Sequence, residues 1–267
     1  MGPPGISRRR LGRFVREIDR HPPVALPSEA PRSISIVVPC YGHADYVPAM
    51  FASIVAQTRV PDEVIFVDDH SPDGTGATLT TLVAARGADA AGRMTVIAND
   101  RNLGQAATLN RAIEAASSDL IMVVNDDDYL LHDAVESMLE LFGRHPELAL
   151  IGAHSIHFAG SDELAAAPKL TTDYMTAGLP LDFHNPADVR RYRNYNDLNM
   201  THTASCYRQA AWRAVGGYRV DKRQRVVPFS DRDFQLRVAS VWPVAVSNAV
   251  PFSLWRRDSS VDVGINS

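Results

Sequence analysis

From Ile34 onward the sequence repeats one phrase: a short apolar run rich in β-branched residues, a polar turn, then a helix-length segment. Ile34–Pro39, Glu63–Asp68, Met94–Ala98 and Leu120–Val124 read as strands, with helices at Asp45–Gln57, near Ala77–Arg86 and at Gly104–Ala116 between them. A helix from about His132 to Arg144 follows, and Leu148–Phe158 reads as a fifth strand. Strands alternating with helices at this spacing form right-handed βαβ units, which predicts an α/β chain with a Rossmann-like, mostly parallel sheet flanked by helices. Such sheets bind ligands beyond the carboxyl ends of their strands. Polar chemistry gathers at those ends: Cys40-Tyr41 after the first strand, Asp68-Asp69 after the second, Asn125–Asp128 after the fourth.

The fourth strand carries the strongest chemical signal. Leu120–Val124 is apolar throughout, as in a strand buried on both faces. It runs straight into consecutive carboxylates, Asp126, Asp127 and Asp128. Ordering adjacent anions is costly unless a cation neutralises them. Hard oxygen donors held together suit Mg²⁺ or Mn²⁺, commonly with substrate phosphates completing the shell. The bland alternative is a solvated acidic loop between a strand and a helix.

The remaining sequence narrows the field. A chain of 267 residues can bury a substantial core, as one large α/β domain or a domain with an appendage. A net charge of −4 without a long basic stripe gives no reason to expect a nucleic-acid partner. The two cysteines, Cys40 and Cys206, form no CxxC pattern and read as free thiols in a reducing, cytoplasmic setting. No apolar run approaches the roughly 20 residues that span a bilayer, and no signal-peptide core is visible. Residues 1–33 read as a partly flexible arm rich in proline, interrupted by a basic amphipathic helix with Leu11, Phe14, Val15 and Ile18 on one face. That face either docks on the protein itself or touches an anionic membrane surface, so membrane contact is at most peripheral.

Past residue 159 the alternation breaks. Residues 160–200 show no clear period, and a stretch this long is usually a lid or part of a second-substrate pocket. A helix is expected at Tyr207–Val215, stopped by Gly216-Gly217. Another is expected from about Asp231 to Ser240, with Ser230 or Asp231 as N-cap. Val244–Ser247 and Pro251–Trp255 read as late strands. Other chemistries find no support. Gly74-Thr-Gly76 lacks the third glycine of a dinucleotide fingerprint and sits behind acidic residues that would repel a pyrophosphate. There is no P-loop, no GxSxG elbow, no HExxH, and the nine histidines show no zinc-like spacing.

Taken together, these strand ends resemble those of inverting glycosyltransferases of family 2, with the GT-A nucleotide-sugar fold, over about residues 33–260. The family's Val-Pro-x-Tyr-Asn is matched by Val38-Pro39-Cys40-Tyr41-Gly42, and its Val-Asp-Asp-x-Ser-x-Asp-Gly-Thr by Val67–Thr75. Asn102, Gly104, Ala107 and Asn110 match its Asn-x-Gly-x-x-x-Ala-x-Asn helix start. Its Asp-x-Asp-Asp metal motif corresponds to Asn125-Asp126-Asp127-Asp128, with Asn in place of the first Asp. An acidic pair before a helix, followed by Arg, corresponds to Ser230-Asp231 with Arg237. The family's closing Tyr-Arg-x-His is represented by Trp255-Arg256-Arg257-Asp258, where Asp replaces His.

The resemblance implies roles. Pro39 and Tyr41 would border the nucleobase, with the Tyr41 ring stacked on it. Asp69 would accept the imide N–H of uracil, favouring a UDP-linked donor, while Asp68 fixes the loop. Asn102, Gly104 and Asn110 would line the donor site. Asp127 is the first choice as ligand of Mg²⁺ or Mn²⁺, with Asp128 and Asp258 as further candidates, and Asp126 would support the metal or meet sugar hydroxyls. Arg256 and Arg257 would neutralise diphosphate, or else form a solvated basic loop. His202 and Thr203 would line the acceptor pocket. Asp231 would be the general base, with Asp233 as runner-up and Arg237 as a supporting ion-pair partner; the plainer reading has Asp231 only capping the helix. Residues 34–158 would then form the nucleotide-sugar half and 159–267 the acceptor and catalytic-base half of one domain. The sugar, the acceptor (a hydroxyl or an amine) and the oligomeric state, monomer or homodimer, stay open. The competing readings are a catalytically degenerate sugar-nucleotide binder and a nucleotidyltransferase, whose Gly-rich basic loop Pro39–His43 does not resemble.

Overall fold

A computed structural model describes residues 8–23, 25–87, 92–160, 181–192, 197–220, 230–248 and 250–258. The chain forms α1 (Arg8–Arg20), β1 (Ile34–Cys40), α2 (Val47–Val55), β2 (Glu63–Asp68), α3 (Thr75–Arg86), β3 (Arg93–Ala98), α4 (Gln105–Ala115) and β4 (Leu120–Val123). Then come β5 (Tyr129–Leu130), α5 (Ala134–Arg144), β6 (Leu150–Ala153), β7 (Ser155–Phe158), β8 (Leu181–His184) and α6 (Pro186–Val189). The described chain continues with β9 (Cys206–Arg208), α7 (Gln209–Ala214), α8 (Ser230–Ala239), β10 (Val244–Ser247) and β11 (Ser253–Arg256).

An eight-stranded sheet in the order β3-β2-β1-β4-β9-β6-β10-β8 carries the fold, and β5, β11 and β7 form a smaller one. Strands β3, β2, β1 and β4 run parallel, as the alternation predicts. They are central because they are apolar on both sides: β1, β2 and β4 are buried along their whole length. Successive residues of a strand face opposite ways. Ile34, Ile36 and Val38 therefore pack under α2, α3 and α5, while Val37 packs under α4, α7 and α8. Pro39, which has no N–H to give a ladder, lies beyond the last β1–β4 register pair, Val37 with Val123.

The N-terminal helix uses its apolar face internally. Phe14 is buried, and Leu11, Val15 and Ile18 pack against the core on the α8 side. Among the described residues no helix is long and apolar enough to cross a membrane. Both cysteines are free and buried.

The later half departs from the sequence-based expectation in three places. Tyr207 belongs to β9, antiparallel between β4 and β6, and only then does α7 begin. A three-residue strand has no visible period; its neighbours on both sides, and Arg208 bonding the carbonyls of Leu148, Pro146 and Glu29, define it. The expected single strand Leu148–Phe158 is two strands, parted at His154 and enrolled in different sheets. Finally, β8 sits in the patternless stretch as an exposed edge strand antiparallel to β10. Residues 161–180 and 193–196, most of the rest of that stretch, lie outside the described residues.

Gly152 in β6 marks a tight junction. A Cβ added there would land on the Met200 sulfur and 2.7 Å from the Met200 Cβ, and Met200 is fully buried. Gly152→Ala is therefore expected to lower stability by about 1–3 kcal/mol, as overpacking does, read as a fall in urea midpoint.

Candidate active site

The loops leaving β1, β2 and β4 are bonded to one another at the carboxyl edge of the sheet. From the β1 loop, the Gly42 N–H donates to Ser71 Oγ (3.2 Å), His43 N–H to Thr75 Oγ1 (3.1 Å) and Ala44 N–H to Asp73 Oδ2 (2.9 Å). The Ser-Pro-Asp-Gly-Thr-Gly turn is thus a scaffold for the β1 loop. Gly76 within it is required by closeness: an added Cβ would stand 2.7 Å from Asp68 Oδ2. Asp68 also accepts from the Ser71 N–H (3.2 Å).

Asp69 ties β2 to the start of α4. Its carboxylate accepts from Asn99 Nδ2, the Leu103 N–H and the Gly104 N–H, each at 2.7 Å. A carboxylate offers roughly four acceptor positions, so about one remains. Gly104 precedes α4 with φ 86°, and Asn102 is half-buried beside it. Asn110 faces elsewhere. It donates to the Tyr218 carbonyl (2.8 Å) and accepts from Tyr218 N–H (2.8 Å) and Trp212 Nε1 (3.2 Å), clasping the Gly216-Gly217 turn to α4. Tyr41 stands at the mouth with 40% of its surface exposed.

The three consecutive aspartates, alike in sequence, diverge in space. Asp126 accepts from the Tyr41 N–H at 2.9 Å and holds His43 Nδ1 at 2.8 Å. Asp128 is fully buried, and its oxygens accept from Thr203 Oγ1, Asn125 Nδ2 (3.1 Å) and the Arg256 N–H (2.9 Å). Burial, followed by the charge of Asp127, pushes the Asp128 carboxyl well above its ordinary range. Asn125, standing where the family has its first Asp, supplies one of those donors, and a carboxylate there would repel instead. Asp127 sits with Asp126 and His43 in a group whose ligand atoms all lie within 4.8 Å of one another. Among the described residues, Asp128 and Asp258 do not belong to that group.

Sequence reasoning passed over His43. It is only 6% exposed, and its Nε2 is buried without a hydrogen-bond partner among the described residues. An orphaned buried polar atom costs about 1–3 kcal/mol, so it calls for an explanation. Burial disfavours the charged imidazole, but the bond to Asp126 and the charges of Asp126, Asp127 and Asp73 outweigh it and raise its pKa. Two carboxylates and an imidazole with an uncommitted nitrogen are a donor set that fits a divalent cation.

Arg256 closes the floor of this region. Its guanidinium lies 4.2 Å from the Tyr46 ring centroid and 4.7 Å from that of Phe158. It donates to Tyr129 OH (2.8 Å), Asp258 Oδ1 (3.1 Å) and the Asp127 carbonyl (3.3 Å). Asp258 also accepts from the Gly160 N–H (3.1 Å). Arg257 is exposed next to it.

The residues expected on the acceptor side connect through His202-Thr203. Thr203 Oγ1 accepts from the Asn125 N–H (3.2 Å) and donates to Asp128. The His202 ring bonds Tyr218 OH (3.1 Å); burial lowers its pKa, opposed by the charge of Asp231. Asp231, in the first turn of α8, acts electrostatically on both His202 and Tyr218. Its carboxylate takes no hydrogen bond among the described residues, and Ser230 and Asp231, the two expected N-caps, both lie within α8. Asp233 is fully engaged, by Arg219 at 2.7 Å and Arg237 at 2.8 Å. Sequence reasoning expected the Arg237 pair but not its depth, since Arg237 is among the most buried side chains described.

Known proteins share this architecture. TarS of S. aureus, solved in complex with UDP-GlcNAc, superposes with a TM-score of 0.63 at 15% identity, covering 86% of this chain and 60% of that one. The mannosyltransferase PcManGT of Pyrobaculum calidifontis, solved with GDP-Man and Mn²⁺, gives 0.59 at 15% identity, covering 94% and 63%. At such identities the likeness establishes the GT-A fold. In sequence, the succinoglycan biosynthesis protein ExoO of Rhizobium meliloti is 30% identical over 146 residues, 52% of this chain and 40% of that protein. The putative teichuronic acid biosynthesis glycosyltransferase TuaG of Bacillus subtilis is 30% identical over 107 residues, 40% of each. The chain thus aligns with about two fifths of the length of these relatives. Residues 35–215, from the first strand through the last turn of α7, match the glycosyl transferase family 2 pattern, and the chain belongs to that family.

Proposed function

We propose that this chain is an inverting glycosyltransferase that moves a sugar from a nucleotide sugar, UDP-linked, to a hydroxyl or amine of its acceptor, with Asp231 as the general base. The observation that carries the reading is the contrast within α8: Asp233 is locked between two arginines, whereas the Asp231 carboxylate, close enough to act on His202, takes no hydrogen bond among the described residues. The TarS and PcManGT complexes, with UDP-GlcNAc and with GDP-Man, support a nucleotide-sugar donor.

In this reading the Tyr41 ring stacks on the base and the remaining acceptor position of Asp69 receives the imide N–H. Pro39, Asp68, Asn102 and Gly104 shape the loops around the nucleoside. Asp127 would hold a divalent cation, Mg²⁺ or Mn²⁺, while Asp128 and Asp258 are bonded to Arg256. When bound, that cation supplies the positive charge that stabilises the departing nucleoside diphosphate. Asp231 takes the acceptor proton as the acceptor atom attacks the anomeric carbon. The bond from that carbon to the diphosphate breaks on the opposite face, and the configuration inverts. His202, neutral and fixed by Tyr218, lines the acceptor side.

The test is a panel of nucleotide sugars with Mn²⁺ or Mg²⁺, scored by thermal stabilisation and by release of nucleoside diphosphate. Stabilisation by a UDP-sugar with cation-dependent UDP release is expected; no stabilisation by any donor would refute the proposal. Tyr41→Ala should weaken donor binding by about 10- to 100-fold, a stacking contribution of about 1–3 kcal/mol. Its melting temperature should change little, because Tyr41 is exposed and its bond to Asp126 is made by the backbone N–H, which Ala keeps.

A further inference from the structure

His43 has no part in the mechanism above, yet both its backbone and its ring are held in place. Its backbone N–H is fixed on Thr75, and its Nδ1 is held at 2.8 Å by Asp126 Oδ1. A carboxylate only accepts, so Nδ1 carries the proton and the lone pair resides on Nε2. Nε2 is buried, without a hydrogen-bond partner among the described residues, and one ring nitrogen of His43 lies within 4.8 Å of a carboxylate oxygen of each of Asp126 and Asp127. The nearby guanidinium of Arg256 is turned to Tyr129, Asp258 and the Asp127 carbonyl. A carboxylate behind an imidazole is the arrangement that sets tautomer and ring angle in histidine–metal sites.

We infer that His43 is a nitrogen ligand of the divalent cation, through Nε2, with Asp127 as the oxygen ligand and Asp126 as the group that orients the ring. This rests on the cation assigned in the proposed function and goes further: it makes the site a mixed nitrogen–oxygen one. Imidazole suits the transition metals, whose affinity for such sites rises from Mn²⁺ to Co²⁺ and Ni²⁺, whereas Mg²⁺ prefers oxygen and keeps its waters. The site therefore selects Mn²⁺ and Co²⁺ over Mg²⁺, and the selection resides in His43.

The experiment titrates the full chain with Mn²⁺ in the presence of UDP. Bound metal is followed by electron paramagnetic resonance, and its ligands by pulsed detection of ¹⁴N coupling. The wild-type protein is expected to show imidazole nitrogen coupling. His43→Gln should lose that coupling and bind Mn²⁺ about 10- to 100-fold more weakly, while Mg²⁺ affinity changes far less. Asp126→Asn should weaken Mn²⁺ binding by a similar about 10- to 100-fold, the range seen when such supporting groups are removed. Because the coupling is read in the wild-type protein, the result does not depend on how well a variant folds. Mn²⁺ bound with UDP but showing no nitrogen coupling would overturn the role of His43 and leave the proposed transfer standing. If the wild-type chain binds no Mn²⁺ at all with UDP, the cation assignment fails and this inference fails with it.

Discussion

Replacing Asp231 with Asn is expected to slow sugar transfer by roughly 10²–10⁴-fold, the range that a positioned general base contributes, while donor affinity stays unchanged. Asn keeps the shape and loses the basicity. The carboxylate makes no hydrogen bond among the described residues, so its replacement leaves no partner among them unsatisfied and the fold should be unaffected. Nor can Asp233 substitute, since Arg219 and Arg237 occupy its oxygens. The check is single-turnover transfer alongside equilibrium binding of a UDP-sugar. Full activity in the Asp231→Asn protein would return Asp231 to the humbler task of favouring the positive end of a helix.

The largest loss of stability is expected at Arg237. This guanidinium is 1% exposed and spends its donors on Asp233 Oδ2 (2.8 Å), the Val215 carbonyl (2.7 Å) and the Gly217 carbonyl (2.7 Å). It also lies 5.8 Å from the Phe14 ring centroid and 5.9 Å from that of Phe234, joining α1 and α8 to the turn after α7. Burial lowers its pKa and the charge of Asp233 opposes that. Arg237→Met should cost about 3–5 kcal/mol, the usual effect of leaving one partner of a buried ion pair alone. Pairing it with Asp233→Leu should recover part of that loss, since apolar residues of similar volume often replace buried ion pairs without penalty. Urea unfolding midpoints decide it, and a loss within the roughly 1 kcal/mol typical of a surface pair would contradict the role assigned to Arg237.

The parallel half of the fold was readable because its strands are apolar on both sides and its turns carry glycine, proline and aspartate. Those signals are local. What escaped was non-local. β9 is only three residues long, so no periodicity announces it, and its identity as a strand comes from β4 and β6. The partition of labour among Asp126, Asp127 and Asp128 follows the same logic. The sequence shows three equal carboxylates, but the donors that turn Asp128 inward come from Thr203 and Arg256, 75 and 128 positions away. His43 was invisible for a similar reason, its partner Asp126 lying 83 residues downstream. The motif frame alone ranks Asp231 above Asp233; what sets Asp233 apart in space, its pairing with Arg219 as well as Arg237, has no visible sign in the sequence.

The bonds made by Arg256 have one more consequence. Its main-chain N–H is fastened to Asp128, its side chain to the carbonyl of Asp127, and both neighbours of β11 in the small sheet flank that grip. Any sliding of this late strand must therefore drag the acidic turn along with it. Two stretches far apart in the chain behave as one mechanical unit, and a push on the surface near Phe158 or Gly160 would be felt where the charge is concentrated.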